Sequence, residues 1–420
     1  CVFFDGTLNN RTNVEARERN TDKYQEHKPD KTNVAKMESY IDKTSLGEGW
    51  MLFTSYIEGP GTEDLEGDSF LGYVFGMGDT GVKKKVEKGI QDVLEQFKKK
   101  IKVNTIIEEL VLDVFGFSRG AAGARYFIHK TLSDKNGLFS SPEPLADKIR
   151  AQEFEIDKKN VRVEFVGLYD TVSSEGLNHN DVNSLKLAAV ARPEVNTVVQ
   201  LAAADEHRSN FALTTIKSAG GRGKEIFLPG VHSDIGGGYR DDIEESLVLN
   251  ESQNLSSLED DRKYLLSQGW FKDDQIFIES PISLPPMASP HGEMSVREPH
   301  RLKSRRTGLD NSYAKIPLHI LAELFCEGEV KLKPTFRSKE KIPSHLVEEG
   351  IYDDLLSYAK GKGSKADDWH KPECYKSYAW LKDLRNQQLH FSAHCQRSFM
   401  VAVDGPNIKK GQRERITNIG

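Results

Sequence analysis

Cysteine is scarce in this sequence, and its distribution limits the kinds of site that the chain can build. The 420 residues include only four cysteines, and no two of them form a CxxC pair. They are Cys1, Cys326, Cys374 and Cys395. This scatter favours free thiols in a reduced compartment and argues against a structural zinc site.

An excess of positive charge and long apolar runs are also missing. Lysine and arginine number 58 against 64 acidic residues, the formal net charge is −6, and no basic arm stands out, which argues against nucleic acid as a partner. No apolar stretch approaches the roughly twenty residues of a membrane-spanning helix. The chain begins at Cys1 with no methionine and no signal peptide in view, so we expect a trimmed start or further residues upstream.

The sequence does contain an apolar run that ends at a Gly-x-Ser-x-Gly pentapeptide. Residues 111–115 lead into Gly116-Phe117-Ser118-Arg119-Gly120, and an alanine-rich, helix-compatible segment follows. Strand, sharp turn and helix in this order are what a nucleophile elbow requires, and the two glycines leave room for the turn. We therefore predict Ser118 as a nucleophile and the backbone N–H of Arg119 as an oxyanion donor. The alternative is an ordinary Gly-Ser turn between a strand and a helix.

Two aspartates follow predicted strands and compete for the role of triad acid. Asp170 comes after residues 161–168, and Asp205 comes after residues 197–203. The carboxyl end of a core strand is where an α/β sheet places functional groups, and we predict Asp170 as the acid. An aspartate there can equally cap the following turn, so position alone leaves both readings of Asp170 open.

The predicted base is His232, one of twelve histidines. It follows the predicted strand 225–228 in a glycine-rich loop, where backbone freedom lets an imidazole reach a serine. The order Ser118, Asp170, His232 is the order that α/β-hydrolases use. His207 is the competing base, and a polar surface residue is the plain alternative for His232.

The glycine-rich stretch at 59–81 carries interleaved apolar residues and is predicted to be a substrate loop. The residues expected to face a substrate are Phe70, Leu71, Tyr73 and Phe75. A surface loop with a few buried anchors explains the pattern equally well. Asp64, Asp68 and Asp79 lack the alternating acidic ligands of an EF-hand, so we expect no metal, and no other cofactor is predicted.

The order of elements predicts an α/β fold of the α/β-hydrolase type. Predicted strands at 1–4, 52–57 and 106–115, with an amphipathic helix at 82–100, give a βαβ succession and hence a mostly parallel sheet flanked by helices. We predict a catalytic core at 1–280, with loop insertions near 8–31 and 59–81. A helical annex at 281–420 would cover the core, with helices at 316–325, 345–359 and 375–384 and a solvated or acid-paired basic cluster at 301–306.

Four segments together resemble a known family. They are Phe3-Phe4-Asp5-Gly6-Thr7, the elbow ending in Ala121, Tyr169-Asp170-Thr171-Val172, and Pro229-Gly230-Val231-His232-Ser233-Asp234-Ile235-Gly236-Gly237-Gly238-Tyr239. The sequence resembles the Tle1-like phospholipase effectors of type VI secretion over most of residues 1–240. Residues 202–211 and 390–392 also resemble family segments. The resemblance implies an α/β-hydrolase domain whose nucleophile, acid and base are Ser118, Asp170 and His232.

The resemblance also implies a biological setting. Members of the family cleave acyl esters of glycerophospholipids at the sn-1 or sn-2 position. They are made in the cytosol, loaded on the secretion spike protein and delivered to a rival's periplasm, and the producer carries an immunity protein. We therefore expect a phospholipid substrate at a membrane surface, a spike partner and an immunity partner.

The expected mechanism is that of a serine esterase. His232 takes the Ser118 proton, Ser118 attacks the acyl carbonyl, and Asp170 orients the imidazolium. The Arg119 N–H and a backbone donor at Gly6 or Thr7 would hold the oxyanion.

Three other functions are weighed against this one. A haloacid-dehalogenase-type phosphohydrolase is suggested by Phe4-Asp5-Gly6-Thr7, but that chemistry needs an aspartate at position 3, where this chain has Phe3. A serine hydrolase of the same fold acting on soluble esters or thioesters stays open. So does a hydrolase fold that has become a non-catalytic binding module.

Overall fold

The computed structural model describes residues 1–18, 30–62, 81–132, 144–173, 182–281, 298–361, 366–395, 407–409 and 412–420. The strands are β1 Val2–Phe4, β2 Ser55–Ile57, β3 Ile106–Ile107, β4 Leu110–Phe117, β5 Glu155–Ile156, β6 Val161–Tyr169, β7 Val195–Ala203, β8 Leu213–Thr214, β9 Gly223–Leu228, β10 Ile243–Ser252, β11 Ile276–Glu279, β12 His300–Leu309, β13 Ile408–Lys409, β14 Gln412–Arg413 and β15 Thr417–Asn418.

The α-helices are Arg11–Glu18, Asn33–Ser39, Val82–Lys100, Arg119–Thr131, Leu145–Arg150, His232–Gly236, Leu255–Ser267, Lys315–Phe325, Phe336–Lys339, Ser344–Glu348, Ile351–Gly361, Pro372–Ser377 and Leu381–Gln387. Short 3-10 helices lie at Lys158–Asn160, Leu187–Ala191, Lys217–Arg222, Asp273–Gln275, Asn311–Ala314 and Ala366–His370. In the described part of the chain, no helix is both long and apolar enough to cross a membrane.

A six-stranded sheet in the order β2-β1-β4-β6-β7-β9 forms the centre of the molecule. Every neighbouring pair in it is parallel. Parallel strands end at the same edge, so the residues that follow β1, β4, β6, β7 and β9 meet along one side of the sheet. The predicted α/β fold with a mostly parallel sheet flanked by helices is confirmed.

The two faces of the sheet carry separate hydrophobic clusters because successive side chains of a strand point to opposite faces. Phe3 and Phe115 belong to one cluster, which includes the helix Lys315–Phe325. Phe4 and Val114 belong to the other, which includes the apolar stripe of the helix Val82–Lys100. Helices therefore cover both faces, as the burial of parallel strands on both sides requires.

A second, antiparallel sheet has the order β10-β12-β11. Its middle strand, β12, belongs to the segment predicted as a helical annex, so that segment is not purely helical. The basic cluster at 301–306 lies on this strand and pairs with acids, as predicted, through Arg301–Glu251 and Arg305–Glu244. The strands of this sheet come from both sides of residue 280. The domain boundary proposed at that residue stays a prediction.

Several local predictions differ from the structure. The predicted loop at 8–31 contains the helix Arg11–Glu18. The predicted helix 345–359 is two helices, because Gly350 adopts a left-handed φ of 76° between them. The predicted helix 375–384 is also divided, between Pro372–Ser377 and Leu381–Gln387.

Candidate active site

The turn between β4 and the helix Arg119–Thr131 holds Ser118 in a strained conformation. Its φ of 58° and ψ of −127° are rare for a residue with a side chain, and such strain is concentrated at functional sites. A Cβ on Gly116 would lie 2.5 Å from the Cα of Ala121, and one on Gly120 would lie 2.2 Å from the carbonyl oxygen of Asp5. The turn therefore needs glycine on both sides of Ser118, as a nucleophile elbow does.

The loop after β1 lies directly beside this turn. The guanidinium Nε of Arg119 donates to the hydroxyl of Thr7 over 2.6 Å, so two of the predicted oxyanion residues are in contact. The N–H of Gly6, the third, instead donates to the Asp5 carboxylate over 2.7 Å. Because the Gly6 N–H already donates to the Asp5 side chain, Thr7 is favoured over Gly6 as the second oxyanion donor, and both assignments stay predictions.

Asp5 is itself held by two further donors. Its carboxylate accepts hydrogen bonds from the hydroxyls of Thr32 over 2.7 Å and Tyr56 over 2.6 Å. Burial raises the pKa of Asp5 to about 6, although these hydrogen bonds oppose the rise. This network fixes the loop that carries Thr7.

His232 and Asp170 are brought together by the ends of two strands. The Nδ1–H of His232 donates to Oδ2 of Asp170 over 2.6 Å, across 62 residues of sequence. This bond leaves Nε2 of the imidazole as the nitrogen available to another group. The sequence predicted a glycine-rich loop around His232. In the structure His232 is instead the first residue of the short helix His232–Gly236. Gly230, with a φ of 113°, makes the turn that precedes it.

Aromatic contacts place the imidazole next to the elbow. Phe117, the residue before Ser118, packs on the His232 ring at 4.6 Å between centroids, and Phe211 meets the same ring edge-on at 5.0 Å. Gly236 makes room for this packing, because a Cβ there would lie 2.1 Å from the Phe117 ring. Ser118 and His232 are each 5% exposed, so both residues are buried.

Asp170 has partners besides His232. Its Oδ1 accepts from the N–H of Ala203 over 2.9 Å, and the guanidinium of Arg415 donates to both carboxylate oxygens at 3.0 and 3.1 Å. Burial opposes ionisation of Asp170, but Arg415 and His232 outweigh it, so the pKa of Asp170 lies below its ordinary value. Burial lowers the pKa of His232 although the Asp170 carboxylate raises it, so the imidazole is neutral at pH 7.

Two acidic residues hold the surrounding backbone. The carboxylate of Glu206 accepts from the N–H of His232 over 3.3 Å and from the hydroxyl of Ser392 over 2.9 Å. Asp234 accepts from the N–H of Val231 over 2.9 Å and from Nδ1–H of His390 over 2.8 Å. These contacts explain why the segments at 202–211, 229–239 and 390–392 carry recognisable motifs: they pack together around His232.

The competing assignments are not brought to the elbow. Asp205 forms an ion pair with Arg385, and Nε2–H of His370 donates to the same oxygen, each over 2.8 Å. No hydrogen bond within the described residues joins Asp205 or His207 to His232. In that part of the chain, the group with metal-ligand spacing is Asp205, His207 and His370.

Part of the prediction cannot be compared with the structure. Phe70, Leu71, Tyr73 and Phe75, together with Asp64, Asp68 and Asp79, lie outside the described residues. Arg415 and Glu206 are contacts that the sequence analysis missed. Nothing local marks Arg415, whereas the run Asp205-Glu206-His207-Arg208 just after a core strand was a usable signal for Glu206.

Comparison with known proteins connects this geometry with a family. Residues 129–259 match the family model for the catalytic domain of the Tle1-like phospholipase effectors of type VI secretion. The resemblance to the Tle1-like effectors is confirmed. The Tle1-like match includes Asp170 and His232, whereas Ser118 precedes it. No curated protein matches the sequence.

One solved structure shows the same fold, and a second is matched less well. The chain is similar to a Tle1 effector bound to the VgrG spike of the type 6 secretion system, with a TM-score of 0.61 and 22% identity over 94% of this chain and 84% of that one. It is also matched to an uncharacterised protein from Pseudomonas aeruginosa, with a TM-score of 0.42 and 18% identity over 90% of this chain and 53% of that one. The similarity in fold to the Tle1 structure covers 94% of this chain and therefore extends beyond residues 129–259, which the family model matches.

Proposed function

We propose that this protein is a serine esterase that hydrolyses acyl ester bonds of glycerophospholipids, as a phospholipase A. The observation that carries the proposal is the hydrogen bond between His232 and Asp170, on a ring that packs against the residue before Ser118. The strained φ of Ser118 and the Tle1-like match support it. No metal or other cofactor takes part in the proposed reaction.

The proposed reaction begins at Ser118. Neutral His232 takes the hydroxyl proton through Nε2, and Oγ of Ser118 attacks the acyl carbonyl of the lipid. The N–H of Arg119 at the start of its helix and the N–H of Thr7 stabilise the oxyanion. His232 then gives the proton to the leaving lysophospholipid oxygen, and water hydrolyses the acyl-enzyme in a second, equivalent cycle.

Asp170 and Arg415 set the state of the base in this scheme. Asp170 fixes the His232 tautomer and stabilises the imidazolium that forms during attack. Arg415 holds the Asp170 carboxylate from the other side and, together with His232 and the N–H of Ala203, lowers its pKa. Arg415 acts through Asp170 and is therefore a positioning residue.

The proposed biological role is based on the Tle1-like match. We propose that the protein is an antibacterial type VI secretion effector, made in the cytoplasm and acting on target-cell membranes in the periplasm. The Tle1 effector to which the chain is similar was solved bound to its VgrG spike. A spike partner and a cognate immunity protein are therefore expected for this chain as well.

The test uses vesicles of a phospholipid with different acyl chains at sn-1 and sn-2. The wild-type protein releases one free fatty acid and the matching lysophospholipid, and the chain released first gives the regioselectivity. Ser118→Ala lowers the rate by about 10⁶-fold with an unchanged circular dichroism spectrum. Near-normal release by this folded variant would refute the serine mechanism.

The same preparation separates the competing functions. Hydrolysis of a p-nitrophenyl butyrate solution without vesicle hydrolysis would favour a soluble-ester or thioesterase activity. Inactivity of the wild-type protein on both substrates, with no reaction of Ser118 towards a fluorophosphonate, would favour the binding module.

A further inference from the structure

A second cluster of functional side chains lies at the end of β7, beside the triad. One potential ligand atom from each of Asp205, His207 and His370 lies within 4.8 Å of the other two. Asp205 and His207 follow β7 directly, whereas His370 ends the 3-10 helix Ala366–His370. The triad uses none of the three. Two imidazoles and one carboxylate are a ligand set that transition metals bind.

His207 is the observation that points to a ligand. It is 2% exposed, and among the residues that the structure describes neither of its ring nitrogens has a hydrogen-bond partner. Buried polar groups in folded proteins are nearly always paired, so an unpaired imidazole here has an uncompensated free-energy cost. A metal bond to one ring nitrogen would remove part of that cost.

We propose that Asp205, His207 and His370 bind one zinc-type transition-metal ion, which joins the end of β7 to the C-terminal part of the chain. Three protein ligands leave room for a water as the fourth ligand. This site is separate from the triad and needs none of the proposed esterase chemistry. It also differs from the cysteine-based zinc sites that the sequence argues against.

Metals bind the neutral imidazole through its one unprotonated ring nitrogen. Among the described residues neither ring nitrogen of His207 has a hydrogen-bond partner, so no such contact has to be broken for one of them to bind an ion. At His370, the ion takes the place of the proton that Nε2 now donates to Asp205, and the neutral imidazole then carries its proton on Nδ1.

Arg385 determines which ions fit. Its Nη2 lies 2.8 Å from Oδ1 of Asp205, and the N–H of Gly230 donates to Oδ2 over 2.7 Å. A carboxylate has about four lone-pair positions, so Asp205 can keep both partners and still bind an ion. Because Arg385 already balances the carboxylate charge, the two imidazoles supply most of the affinity. This favours zinc and excludes calcium and magnesium, which prefer sets of oxygen ligands.

The experiment titrates zinc chloride into the EDTA-treated, dialysed full chain against a chromophoric chelator. We expect one zinc ion per wild-type chain and no competition by millimolar calcium. His207→Ala and His370→Gln each weaken zinc binding by at least about 100-fold. His345→Ala, at an exposed histidine outside the cluster, leaves it unchanged.

Thermal unfolding gives a second readout that does not depend on activity. Zinc raises the unfolding midpoint of the wild type and of His345→Ala but not of His370→Gln. The His370 side chain is 16% exposed, so this variant stays informative if His207→Ala does not fold. Absence of stoichiometric zinc binding to the wild type would overturn the proposal. Zinc binding that survives in His370→Gln would also overturn it, because the ion would then be bound elsewhere, for example to the free cysteines.

Discussion

Asp170 and Asp205 follow neighbouring strands of the same sheet, yet their surroundings differ in one respect that decides their roles. Both carboxylates are buried, and each is bound by one histidine and one arginine. The histidine at Asp170 is His232, which packs against the elbow residue Phe117. An Asp-His-Arg group alone therefore does not distinguish the proposed triad, whereas the position of the histidine relative to the proposed nucleophile Ser118 does.

The group at Asp205 ties distant parts of the chain together instead. Its histidine and arginine, His370 and Arg385, both come from the C-terminal part, whereas Asp205 lies just after β7. Arg385 is fully buried and also donates to the backbone of Gln268 and Trp369. We infer that the Asp170 group serves catalysis and the Asp205 group serves the attachment of the C-terminal part. Four variants test this division.

The largest effect is expected for Asp170→Asn. The amide cannot hold His232 in the tautomer that accepts the Ser118 proton, so we expect kcat for vesicle hydrolysis to fall by about 10⁴-fold. Steady-state kinetics on phospholipid vesicles give kcat, and circular dichroism verifies folding. A folded variant with less than a tenfold loss would remove Asp170 from the triad.

Asp205→Asn should act on stability rather than on chemistry. It leaves the buried guanidinium of Arg385 without its counter-charge, which costs about 3–5 kcal/mol of the free energy of unfolding. Urea unfolding followed by tryptophan fluorescence measures this loss. A kcat loss as large as that of Asp170→Asn, at a temperature where the variant is folded, would contradict the division.

Arg415→Gln should change the pH dependence. His232 must be neutral to act as the base, so kcat/KM falls as the pH drops through its pKa, which burial places below the ordinary value of 6.5. Removing Arg415 lets the Asp170 carboxylate stabilise the imidazolium more strongly, so the acid limb moves to higher pH, by about 1 pH unit.

The matched variant for that experiment is Arg415→Lys, which keeps the positive charge. Its acid limb should stay close to that of the wild type. An unshifted limb in Arg415→Gln, with lower kcat at every pH, would mean that Arg415 has only a structural role.

His370→Gln in zinc-free buffer should lower the free energy of unfolding by less than Asp205→Asn does. The His370 side chain is partly exposed, and Arg385 still balances Asp205, so the loss is that of one hydrogen bond to a charged group, about 1.5–3 kcal/mol of the free energy of unfolding. Urea unfolding of His370→Gln and Asp205→Asn under the same conditions measures the two losses in the free energy of unfolding. A larger loss than for Asp205→Asn would make His370, not Arg385, the main partner of the carboxylate.

The fold and the residues proposed for the triad could be predicted because their signals are local. The glycines around Ser118 and the strand ends before Asp170 and His232 are visible within a few residues of sequence. Position alone did not separate Asp170 from Asp205, since both follow strands. The resemblance favoured Asp170, and its hydrogen bond with His232 supports that prediction.

Other features depend on contacts between distant parts of the chain. Arg415 lies 245 residues from Asp170, and no local pattern marks it as a partner of that carboxylate. The strands β10 and β12 pair across the predicted domain boundary at residue 280. Local periodicity could not predict their sheet, because the paired residues are far apart in the sequence. The use of the Gly6 N–H by Asp5 depends on side-chain geometry that composition does not encode.

The most direct measurement of the central claim is the site of fluorophosphonate labelling. Such a reagent forms a stable adduct with a serine only when a neighbouring base and an oxyanion hole activate it. Peptide mass spectrometry of the labelled wild-type protein should find one modified residue, Ser118. The Asp170→Asn variant should be labelled far more slowly than the wild type, and the Asp205→Asn variant at nearly the wild-type rate. Labelling of a different serine, or equal slowing in the two aspartate variants, would contradict the account.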